Sequence, residues 1–142
     1  MSVLKTFHGM KDVLGLDSSF TYTYLVHNYS IHHSTLTLHI FESTEANFVP
    51  LYECHFAPVA YLDLCPAWQG GKLVTASLDA CKAFMREIGI NTDIEDRDAS
   101  LERLADDTVV LYEADPPNRR RVRILAGNAI EIHRLGEGVQ SS

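Results

Sequence analysis

Four of the seven histidines, His27, His32, His33 and His39, lie in or beside one alternating segment, residues 20–41, and His55 follows Cys54 just beyond it. Imidazoles so grouped can bind a metal, move protons near neutral pH, or cap a polar sheet face. A zinc site needs three or four side chains of this kind converging at ligand distance. Suppose residues 20–27 and 34–41 pair antiparallel about a turn at Asn28-Tyr29-Ser30. His27 then sits near that turn beside His32 and His33, and these three are the residues a metal site would draw on. His39 falls several residues away along the ladder. Cys54 and His55, adjacent on a strand, point to opposite faces and do not share an ion. C-x-x-C, H-E-x-x-H and H-x-H spacings are absent. The expectation is imidazoles on a half-exposed sheet face or in a loop, with no metal and no cofactor.

Nucleophilic and phosphate chemistry have less support. No G-x-S-x-G elbow occurs. Cys81 falls on the apolar face of a helical segment, and Cys54 shares the parity of Tyr52 and Phe56, which makes both core residues; Cys65, in a turn, is the candidate reactive thiol. Gly70-Gly71-Lys72 lacks the first glycine of a phosphate loop, and Leu73 stands where that loop needs a hydroxyl. Arg119, Arg120, Arg121 and Arg123 concentrate positive charge at a hairpin tip and down one strand face, where pairing with acidic residues of the same chain is the simplest reading. No catalytic residue is assigned.

Trp68, in the turn Pro66-Ala67-Trp68-Gln69-Gly70, is either an exposed anchor for a protein partner or a lid folded back over the sheet. Residues 91–107 form an acidic connector that includes Glu95 and Asp96. With Trp68 these two are the expected partner-binding residues.

The elements that position these residues follow from periodicity. Residues 3–16 place Leu4, Phe7, Val13 and Leu14 at roughly helical spacing, which suggests a short N-terminal helix. From Phe20 the period becomes two, giving strands over 20–27 and 35–41. Residues 51–56 and 59–64 read as one strand interrupted by Pro58, or as two. Residues 78–88 carry Leu78, Cys81, Phe84, Met85 and Ile88 on one helical face, with Ser77 to cap the start and Gly89 to close the end. Leu101 and Leu104 suggest one helical turn within the connector. Residues 109–114, 121–125 and 129–135 complete a C-terminal three-stranded meander, with Gly127-Asn128 as a two-residue turn. The fold class is α+β, mainly antiparallel sheet with one amphipathic helix.

The 142 residues fit one domain over 1–135 and a frayed tail over 136–142. A hydrophobic share of 46% and a charged share of 22% are those of a soluble globular chain. The net charge of −7 argues against nucleic-acid binding and suits a basic protein partner. Three irregularly spaced cysteines, no signal-like start and no apolar run of membrane length point to the cytoplasm and away from membranes. These observations favour a non-enzymatic protein-interaction module, in one form an acidic inhibitor or immunity-type partner, with homo-oligomerisation open. The alternative is a small-molecule or metal-binding domain using the sheet face that bears Tyr and His.

Overall fold

Alternation of apolar and polar side chains sets most of the architecture. The structure, a computed structural model, describes residues 2–7, 10–16, 20–43, 49–89, 109–117 and 119–135. Among these described residues, ten strands and one helix follow in order: β1 (Ser2–Thr6), β2 (Tyr22–Ser30), β3 (Thr35–Glu42), β4 (Tyr52–Phe56), β5 (Val59–Asp63), β6 (Ala67–Gln69), β7 (Val74–Thr75), α1 (Leu78–Glu87), β8 (Val109–Ala114), β9 (Val122–Gly127) and β10 (Ala129–Arg134). They form a six-stranded sheet in the order β1-β10-β4-β3-β2-β6 and a four-stranded sheet in the order β5-β9-β8-β7. Every ladder is antiparallel. The α+β class and the C-terminal strands expected from the sequence are present.

The inner faces of the two sheets supply the main core. Tyr24, Leu36, Leu38, Ile40, Cys54, Phe56, Ile130 and Ile132 from the larger sheet share one cluster with Val59, Val110, Tyr112, Val122, Ile124 and Ala126 from the smaller. A second cluster lies on the far side of the four-stranded sheet, where Leu111 and Leu125 meet Cys81, Phe84 and Met85 of α1. The order of layers is six-stranded sheet, four-stranded sheet, helix. The Ser77 hydroxyl accepts the Ala80 N–H at 3.1 Å, and Gly89, at φ +75°, ends the helix as its sequence suggests.

Two of the chain crossings between the sheets share one corner. β4 breaks at Pro58, which has no N–H to give to a ladder, and resumes as β5 in the other sheet. Opposite it, β9 passes into β10 at Gly127-Asn128, so this pair carries the chain from one sheet to the other, and β10 finds its partners in β4 and β1. The Gly127 N–H donates to the Pro58 carbonyl at 2.9 Å. A Cβ at Gly127 would lie 2.7 Å from the Ala57 carbonyl oxygen, so only glycine lets the two crossings close on each other. The buried Tyr112 hydroxyl donates to the Gly127 carbonyl at 2.7 Å, and its burial pushes that phenol well above its usual range.

Two local expectations are corrected. The N-terminal segment forms no helix at its start; β1 instead lies along the edge of β10. A short isolated helix is marginal in water, and the open edge of β10 offers five residues a ready ladder. The turn expected at Asn28-Tyr29-Ser30 falls later, at residues 31–34, because β2 runs through Ser30 and takes up the extra residue in an irregularity between Val26 and Asn28. The turn proposed at Leu101 and Leu104 and the tail 136–142 lie outside the described residues. Among those described, no helix is long and apolar enough to cross a membrane.

Candidate functional site

Strand parity that sends Leu38, Cys54 and Ile132 into the core turns their neighbours outward. The outer face of the six-stranded sheet thus carries Thr37 and His39 on β3, Glu53 and His55 on β4, and Glu131 and His133 on β10. Register brings them together. His39 stands opposite Glu53 and Thr37 opposite His55, while on the other side of β4 His133 stands opposite Glu53 and Glu131 opposite His55. Two Glu-x-His segments therefore run antiparallel side by side, each glutamate facing the other's histidine.

Hydrogen bonds fix the geometry. The His55 Nε2 lies 2.7 Å from Glu53 Oε1, and the His133 Nε2 lies 2.7 Å from Glu131 Oε1, each within its own segment. The His39 Nε2 lies 2.8 Å from the second oxygen, Glu53 Oε2. An ionised carboxylate only accepts, so each of these imidazoles donates from Nε2. The remaining His55 nitrogen, Nδ1, lies 3.0 Å from the buried Thr37 hydroxyl, which donates to it when the ring is neutral with its proton on Nε2. The bond from His39 first, and then the bond from His55 and the charge of both rings, hold the Glu53 carboxyl below its usual range against the opposing effect of partial burial. The His55 and His133 rings meet edge to face at 5.3 Å.

One donor atom from each of Glu53, His55 and His133 lies within 4.8 Å of the other two. Two imidazoles and a carboxylate are a familiar donor set for zinc and for other first-row divalent ions. Thr37 and His39 would then be the outer partners that orient ligands, as hydrogen-bonded neighbours of metal sites do.

The residues marked by the sequence are placed differently. His27 leaves the group expected with His32 and His33 and stacks on His39, ring centroids 3.9 Å apart and planes at 12°. The irregularity in β2 produces this contact: the ladder puts Leu25 opposite His39 and lets His27 lean over it. His32 and His33 are exposed on the turn, and among the described residues the donor atoms that converge are those of Glu53, His55 and His133 and not those of His27, His32 and His33. Trp68 is corrected as an exposed anchor. It is 2% exposed and stacks on Tyr24 at 5.1 Å, with no hydrogen-bond partner for its Nε1 among the described residues. Its position is that of the lid weighed above. Glu95 and Asp96 lie outside the described residues.

Other candidates fall to ordinary structural roles. Burial pushes the Cys54 thiol up to about 12 and the Cys81 thiol up to about 11, while Cys65 is half-buried and free. Three arginines of the concentration are paired: Arg120 and Arg123 with Asp63, Arg123 also with Glu87, and Arg121 with Glu113. Arg123 also lies over the Phe84 ring at 4.5 Å. Sequence reading missed Glu53, Glu131 and His133. The available signal was the repeated Glu-x-His at 53–55 and 131–133, each on an alternating strand. No protein-family model, curated protein or solved structure matches the chain.

Proposed function

We propose that this chain is a divalent transition-metal-binding domain, with Glu53, His55 and His133 as ligands. The observation that carries the reading is the convergence of three donor atoms from two neighbouring strands within 4.8 Å. It follows the alternative expectation from the sequence, a binding domain using a histidine-bearing sheet face, with a different set of residues. The interaction reading relied on Trp68, which packs in the core, and on an acidic connector outside the described residues.

The hydrogen-bonded arrangement suits ligand exchange. Coordination through the His55 Nε2 displaces the proton now given to Glu53, and that imidazole carries its proton on Nδ1 instead. Thr37 Oγ1 then accepts where it had donated, so the same hydroxyl supports both states. Glu53 keeps its bond from His39 on one oxygen and offers the other to the ion. Because the imidazoles must be neutral to coordinate, affinity falls as pH drops.

Competition with a chromophoric chelator tests the proposal. Purified protein stripped of metal should take up one Zn²⁺ or Co²⁺ per chain, and His55→Ala or His133→Ala should lose that uptake while remaining folded by circular dichroism. Uptake undiminished in both variants would refute it.

A further inference from the structure

Resting on the metal reading above, the structure points to an open centre: we infer that the bound ion takes an external ligand, a monoanionic bidentate oxygen donor carrying an apolar group. All three protein ligands rise from one face of one sheet, from the adjacent strands β4 and β10. They must therefore occupy one side of the ion. A four-coordinate ion keeps one position for solvent, and a six-coordinate ion keeps a whole face. The side chains of Glu53, His55 and His133 retain 27%, 35% and 31% exposure, so solvent reaches the donors themselves. Among the described residues, the helix packs on the other sheet.

Charge selects the class of ligand. A divalent ion bound by two neutral imidazoles and the Glu53 carboxylate keeps one net positive charge, which a monoanion neutralises. Glu131 is engaged with His133 and disfavours a second negative charge close by. Shape adds the apolar group. Leu4 on β1 stands directly opposite Glu131 and is 69% exposed, one strand spacing of about 4.8 Å from β10. An apolar substituent on a metal-bound anion reaches that side chain along the sheet surface.

Hydroxamates are suitable probes, being monoanionic and bidentate through oxygen. The Co²⁺-loaded protein is titrated with acetohydroxamate and benzohydroxamate while its visible absorption is followed. Saturable spectral shifts are expected with both, benzohydroxamate binding about five-fold more tightly because its ring packs on Leu4. Leu4→Ser should remove that preference and leave Co²⁺ uptake unchanged. Cobalt binding with no spectral response to either hydroxamate would overturn the open centre while leaving the metal reading intact. A cobalt-dependent dimer indifferent to both probes would overturn it too, since a second copy would then fill the free positions. Failure to bind cobalt at all would remove the metal reading itself.

Discussion

The two outward sheet faces obey the same alternation and meet opposite fates. On the four-stranded sheet the outward positions hold Leu111 and Leu125, and α1 covers them with Cys81, Phe84 and Met85. On the six-stranded sheet the outward positions hold Thr37, His39, Glu53, His55, Glu131 and His133, which bond to one another, and Glu53, His55, Glu131 and His133 stay open to solvent. Parity decides which way a side chain points; its chemistry decides what then happens to the face. The apolar pair Leu111 and Leu125 is covered, whereas the acid–imidazole pairs satisfy one another and remain available to a ligand.

Removing the cover should produce the largest effect. Phe84→Ala empties the centre of the helix–sheet cluster and is expected to cost about 3–5 kcal/mol in urea unfolding. His133→Ala, on the open face, should change the same midpoint by less than about 1 kcal/mol. Equal losses from both substitutions would erase the distinction between the faces.

Next comes the corner that ties the two sheets together. Gly127→Ala places a methyl 2.7 Å from the Ala57 carbonyl oxygen, and unfolding should show a loss of about 1–3 kcal/mol. On the open face, Thr37→Val removes the only hydroxyl bonded to His55 Nδ1 among the described residues, and metal affinity should fall about 10–100-fold in chelator competition. Stability should barely respond, which separates a ligand-orienting role from a packing one.

The elements most legible in the sequence were those whose determinants are local. Residues 78–88 announced α1 by apolar spacing, the Ser77 cap and Gly89; Phe20 to Val26 announced β2 by alternation, and Pro58 announced the break between β4 and β5. What escaped depended on distant pairing. β1 read as helix because nothing within residues 3–16 reveals that β10 has a free edge. Gly127-Asn128 has the composition of a hairpin turn, yet the Gly127 N–H bonds to Pro58 across the corner and β9 and β10 lie in different sheets. The site escaped for the same reason. Histidines close in sequence, His27, His32 and His33, drew the eye, but the β2 irregularity turns His27 onto His39, while Glu53 and His133 become neighbours only once β4 and β10 pair.

Thiol reactivity reports on the two faces kinetically. Cys54 beneath the open face and Cys81 beneath the helix, both raised by burial, should react with a disulfide reagent only as fast as the protein opens. Cys65 should react in the native state, giving one fast thiol and two slow ones. The smallest expected effect is acid sensitivity from Glu53. Its carboxyl is held below the unfolded value of about 4.3, so its contribution is present above that pH and is lost as pH falls through the folded value. Glu53→Gln should flatten that part of the stability–pH curve, and an unchanged curve would mean the His39 and His55 bonds add nothing to folding.

Anomalous diffraction from zinc-loaded crystals tests the central claim most directly. The account predicts one peak on the outer face between β4 and β10, about 2.0–2.2 Å from one nitrogen each of His55 and His133 and from a Glu53 oxygen, with a solvent oxygen completing the shell. A peak instead at His27, His32 and His33, or no peak beside Glu53 at full zinc occupancy, would contradict it.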